Sequence, residues 1–227
     1  MQTILKNLTH FVLISCLLFL ITSCKKDDPI IIENIDYGTI NVVSLETQLL
    51  ALPTQFTDTN EVSDLVFSRE EEKLARDVYS FMINKWGSII FTNISTSEQT
   101  HMDAILMLLN KYNIIDPVDS NAVGVFTNSA LQVLYNHLVS DGSASALAAF
   151  KVGATIEDLD IYDLTEALSA TDNQDIRLVY SMLIKGSRNH LRSFYSNILK
   201  LGGTYTPQYI TQIEFDAIVN SSMETGF

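Results

Sequence analysis

Cysteine is nearly absent. The 227 residues contain two, Cys16 and Cys24, both close to the N-terminus. Beyond Cys24 the chain has no thiol, which excludes disulfide stapling, a cysteine nucleophile and a thiolate metal site there. Basic residues are also few. Fourteen Lys and Arg stand against 27 Asp and Glu, a formal net charge of −13, and a chain of that sign is an unsuitable partner for a phosphate backbone. No Lys/Arg-rich run and no Gly-rich phosphate loop is found. Prolines number four, at 29, 53, 117 and 207, and charged residues make up 18% against 47% hydrophobic. That balance belongs to a globular chain, and the length suits one sizeable domain with extensions.

The N-terminal segment reads as an export signal. Lys6 precedes an apolar run from Phe11 to Ile21 that is short for a bilayer span. The run ends in Ile21-Thr22-Ser23-Cys24, which resembles the lipobox of bacterial lipoproteins, and Lys25-Lys26-Asp27-Asp28 resembles the surface-export signal of some of them. The resemblance implies cleavage of residues 1–23 and lipid attachment at Cys24. The implied partner is a membrane, and the implied location is the outer-membrane surface or periplasm of a bacterial envelope. The mature charge would be 13 − 27 = −14, since residues 1–23 carry one Lys and no acid. Residues 24–58, without helical period, read as a tether with an ordered stretch near 40–50, and residues 59–227 as the domain.

Within the domain, apolar residues recur at helical spacing. Long helices are expected over about 60–86, 95–112, 143–170 and 173–200. Short ones are expected near 129–139 and 211–220. No strand pair is evident, so the fold class is all-α. An excursion of about 30 residues between the second and third long helices favours a four-helix bundle with one long crossover and short accessory helices.

Ionisable residues fall on the apolar faces. Glu98 and His101 share a side with Met102, Ile105, Leu108 and Leu109, because three residues is close to one helical turn. Ser95 as an N-cap would give Glu98 a capping-box role, which leaves His101 unexplained. Glu157 lies with Phe150, Ile161 and Leu164, with Asp160 at the edge; Thr155 and Asp158 could form a capping box if that helix restarts. His190 lies with Val179, Leu183 and Phe194. In the run Glu70-Glu71-Glu72, periodicity puts Glu71 nearest the apolar stripe, although such a run is commonly a solvated face. Buried carboxylates require a partner. Acids and imidazoles converging from four helices form an O/N donor set suited to iron, manganese or zinc. The competing arrangement is a metal-free polar network in which Glu98, Glu157 and the histidines bond Arg188, Asn189 and one another. Ser187 and His190 neighbour each other, but no nucleophile elbow surrounds them.

Four blocks together resemble the ferritin-like family catalogued as domain of unknown function 2202. They are Glu70 to Tyr79, Ser97 to Asp103, Val152 to Ile161 and Gly186 to Arg192. Glu72-x-x-Ala75-x-x-x-Tyr79 followed by Glu98-x-x-His101 is also similar to the first half of the ferritin and rubrerythrin di-iron site. The resemblance selects Glu72 over Glu71 on the first helix. It implies metal ligation, iron foremost, and oxygen- or peroxide-dependent redox chemistry with Tyr79 beside the site and an unidentified redox partner. The chain departs from the pattern on its fourth long helix, where Gly186 and Ser187 stand in place of a carboxylate before His190. Asp160 is the residue that could supply the missing acid. The expected ligand set is therefore Glu72, Glu98, His101, Glu157, Asp160 and His190, with Tyr79, Glu71, Ser187 and Asn189 nearby.

Overall fold

Seven helices and no strand make up the described residues of the structure, a computed structural model that describes residues 37–226. They are α1 (Val42–Ala51), α2 (Thr59–Trp86), α3 (Ile89–Lys111), α4 (Ser129–Gly142), α5 (Ala146–Ala170), α6 (Gln174–Lys200) and α7 (Gln212–Val219). The segment that reads as an export signal, with Cys24, lies outside the described residues. No helix among those described is long and apolar enough to cross a membrane.

Local chemistry sets the helix ends. Asp58 caps α2 by accepting from the Asn60 and Glu61 backbone N–H groups, and Glu61 returns a bond from the Asp58 N–H. Gly87, at φ +65°, closes α2 in the left-handed region. Ser88, with no side-chain capping bond, precedes α3, which therefore starts a turn and a half earlier than periodicity suggested. Ser95 and Glu98 thus sit inside α3, and the capping-box reading of Glu98 is overturned. The restart of α5 at Thr155 is overturned as well. α5 runs unbroken there, Thr155 donates to the Lys151 carbonyl, and buried Asp158 accepts from Tyr205 Oη and from the backbone N–H groups of Gln208 and Ile210.

The four long helices contact one another in a closed ring: α2 with α3, α3 with α6, α6 with α5, and α5 with α2. Two apolar clusters fill it. One centres on the aromatic rings of Tyr79, Phe91, Phe150 and Phe194, the other on Ile105, Leu108, Leu164, Val179 and Leu183. On α3, Glu98 and His101 fall between Ile94 of the first cluster and Ala104 of the second. On α6, His190 falls between Ile184 of the second and Leu191 of the first. The ionisable residues therefore occupy a polar layer between two apolar ones. α1, in the segment that reads from composition as a tether, packs on α3 and buries Leu45 and Leu49.

The acidic run on α2 is not a solvated face. Glu70, Glu71 and Glu72 are all about 2% exposed. Glu70 accepts from the backbone N–H groups of Thr127 and Asn128 at the start of α4. Arg69 forks onto Asp116 at 3.0 and 3.1 Å and donates to the Met102 carbonyl. Lys73 is fully buried, paired with Asp77, bonded to the Ala122 carbonyl and seated 4.4 Å from the Phe126 ring centroid. Asp77 also accepts from the Gly124 N–H at 2.9 Å. One side of α2 thereby clamps the long connection between α3 and α5. Asp77→Ala would strand a buried ammonium. We expect a loss of about 3–5 kcal/mol, the range for breaking a buried pair from one side, read as a lowered urea midpoint; an unchanged midpoint would show that Lys73 finds other partners.

Candidate metal centre

Glu72 on α2, Glu98 and His101 on α3, Glu157 on α5 and His190 on α6 meet in the polar layer, each no more than 2% exposed. They form two overlapping groups of three, Glu72–Glu98–His101 and Glu98–Glu157–His190, whose ligand atoms lie within 4.8 Å of one another in each group. The two halves are near copies. His101 Nδ1 stands 3.2 Å from Glu72 Oε2 and 2.9 Å from Glu98 Oε2. His190 Nδ1 stands 3.2 Å from Glu157 Oε2 and 2.9 Å from Glu98 Oε1. Glu98 is shared, one oxygen to each histidine. The imidazole rings lie nearly parallel with centroids 5.5 Å apart.

The other ring nitrogens are held by backbone. His101 Nε2 donates to the Gly38 carbonyl at 3.0 Å, and His190 Nε2 donates to the Tyr37 carbonyl. This assignment leaves each Nδ1 facing carboxylates. A histidine whose far N–H is fixed by a carbonyl is the arrangement that orients imidazole ligands. The strap carrying these carbonyls is pinned to α3, since Ser97 Oγ donates to the Tyr37 carbonyl and the Ile40 N–H donates to Thr100 Oγ1.

Burial and charge set the protonation. Burial drives Glu72 and Glu157 up to about 7 each, even though His101 and His190 act to lower them. Burial also acts to raise Glu98, but His190 and His101 on either side overrule it and hold the carboxyl well below its usual range. For the imidazoles, burial favours the neutral ring, yet Glu72 and Glu98 push His101 well above the ordinary histidine value. Glu98 and Glu157 push His190 to about 10. Without a cation, each Nδ1 carries a proton among carboxylates. Both Glu98 oxygens are buried, and beyond the two histidines they meet no hydrogen-bond donor. Oxygen and nitrogen donors around such a carboxylate suit a borderline divalent ion, so the residues present fit a metal.

Tyr79, fully buried, donates its hydroxyl to Glu157 Oε1 and packs its ring on Phe194. Asp160 is buried one turn beyond Glu157 and belongs to neither three-ligand group; neither of its oxygens has a hydrogen-bond partner. Glu71 faces Asp163 rather than the histidines. Ser187 is buried and donates to the Leu183 carbonyl. The polar network expected through Arg188 and Asn189 is corrected. Arg188 pairs with Glu224, while Asn189 donates to the Glu224 carbonyl and accepts from its N–H and from Arg192. These side chains anchor the C-terminal segment instead.

Sequence reasoning missed the strap. Its trace is a pair of glycines, because a Cβ at Gly38 would stand 2.4 Å from the Gly186 Cα, and one at Gly186 would stand 2.5 Å from His101 Cε1. Strap, helix and imidazole are stacked with no room for a methyl group. That also accounts for a glycine four residues before His190.

Fold and site together define an all-helical protein with a buried carboxylate–histidine centre able to hold metal. Comparison with known proteins places it further: residues 61–222 match the family described as an uncharacterized protein domain, DUF2202, and the chain belongs to that family. Uncharacterized protein MJ0754 of Methanocaldococcus jannaschii is 53% identical over 176 residues, covering 78% of this chain and 95% of the relative. The crystal structure of that hypothetical protein, 53% identical, superposes with a TM-score of 0.75 over 76% of this chain and 99% of its own.

Gly38→Ala puts a side chain at φ +80° against helix backbone. We expect a loss of at least about 2 kcal/mol, combining left-handed strain with the clash, seen as a lower thermal midpoint. A variant as stable as the parent would mean that the strap is not seated on Gly186.

Proposed function

We propose that this is a ferritin-like, envelope-anchored protein that holds two transition-metal ions, iron foremost and manganese or zinc as alternatives, between its four long helices. The observation that carries the reading is Glu98. Its two oxygens each lie 2.9 Å from a different histidine Nδ1 and meet no other donor in the interior. In this reading Glu72 and His101 would hold one ion and Glu157 and His190 the other, with Glu98 serving both.

Two divalent charges would offset the three buried carboxylates Glu72, Glu98 and Glu157, removing a desolvation cost that protonation otherwise meets. The closed ring of four helices and the long connection through α4 support a ferritin-like bundle with one crossover. A redox-active pair bound there would supply oxygen- or peroxide-dependent chemistry. The chain's own contribution is to exclude water, orient both imidazoles through the strap, and keep Tyr79 bonded to Glu157. Anchoring through lipid on Cys24 is supported by the lipobox-like Ile21-Thr22-Ser23-Cys24.

Metal-free protein titrated anaerobically with Fe(II), Mn(II) or Zn(II) should bind two ions per chain by elemental analysis. At a free concentration of about 100 times Kd, each ion adds about 2.7 kcal/mol. For a domain of this size each ion raises Tm by about 5–10 °C. Glu98→Gln should abolish both the second ion and most of the shift. A protein that binds none of these ions and keeps its Tm would leave the buried polar network as its function-free alternative and end the metal reading.

A further inference from the structure

The centre accounts for three of the carboxylates buried between α2 and α5 and leaves two others in need of an explanation. Asp160 is 1% exposed and has no hydrogen-bond partner on either oxygen, and Glu71, 2% exposed, has none on Oε1. Neither forms an ion pair, and among the described residues no lysine or arginine pairs with Asp163. A polar group buried without a partner carries a stability penalty with no structural return.

Their placement is directional. On α5, Glu157, Asp160 and Asp163 follow one another at three-residue steps, passing from fully buried to half-exposed. On α2, Glu71 adjoins Glu72 of the centre and faces Asp163. Burial, with the acids Glu71, Glu157, Glu72 and Glu98 around it, holds the Asp160 carboxyl well above its usual range. Asp163 opens onto a surface cavity of about 330 Å³ between α2 and α5, whose rim includes Asp64, Ser68 and Glu166. Carboxylates thus stand at successive steps of α5 from the cavity to the polar layer.

We propose that Asp163, Glu71 and Asp160 form an entry passage for divalent cations from this cavity to the centre. The proposal rests on the two-metal reading above. The rim acids raise the local concentration of cations, Asp163 and Glu71 take an ion from water, and Asp160 passes it to Glu157 and Glu98 with oxygen ligands throughout. A hydrated Mn(II), Co(II) or Fe(II) exchanges water for carboxylate at each step, and no charge is left bare in the interior. Acidic funnels of this kind raise cation on-rates by about 10–1,000-fold.

The test is the rate of Co(II) uptake by metal-free full-length protein, followed in a stopped-flow instrument by visible d–d absorption. Glu71→Gln and Asp163→Asn should load at least about fivefold more slowly than the parent, with the same final absorption and two ions per chain. Asp163 is half-exposed, so its variant keeps the test meaningful if the buried Glu71→Gln folds poorly. Glu46→Gln, an exposed change on α1, should load at the parental rate. Parental rates in both passage variants would overturn the passage and leave the two-metal centre standing. A parent that takes up no Co(II) would overturn the centre, and the passage with it.

Discussion

A carboxylate in a protein interior needs a proton, a positive charge or hydrogen-bond donors, and this fold gathers several carboxylates in one layer. The shared Glu98 is where the demand is greatest, because it lies between two histidines that each face a second acid. Protons on the two imidazoles meet that demand in the metal-free protein, and divalent ions would meet it more completely. The surrounding architecture serves this layer. Apolar clusters lie on both sides of it and keep water out, and the helix ring brings one or two donors from each wall.

The near-duplication of the two half-sites has a physical basis in the helix pairs. The α2–α3 pair presents Glu72 and His101 with the same 3.2 and 2.9 Å spacings that the α5–α6 pair presents with Glu157 and His190. Only α3 adds the shared acid. The place on α6 where a matching carboxylate would stand is taken by Gly186 and Ser187, and the strap lies against Gly186. A longer side chain at Gly186 would have no volume to occupy, and Ser187, three residues before His190 as Glu98 is before His101, donates to the Leu183 carbonyl.

Much of the centre was legible because helical period and ionisable residues conflict at Glu98, His101, Glu157 and His190, and a conflict of that kind needs a cause. The all-helical fold followed from the same periodicity. The choice of Glu72 over Glu71 was not legible from periodicity, since three consecutive glutamates blur the phase of α2; family resemblance supplied it. The strap was hidden for another reason. It contributes only main-chain carbonyls, and main-chain chemistry leaves no residue signature except the glycines that permit close contact. Charged residues of α2 were equally misleading in sequence, because Glu70, Lys73 and Asp77 bond a distant connection whose position depends on tertiary structure.

The two carbonyls of the strap come from successive residues, and the left-handed Gly38 between them takes the chain out of the alternating pattern of extended backbone. The histidines are therefore yoked to a single stretch of covalent geometry. Their separation is gauged by the length of a peptide unit, a dimension that side-chain mutation does not alter. The acids around the centre can vary while the backbone keeps the two imidazoles at a fixed pitch.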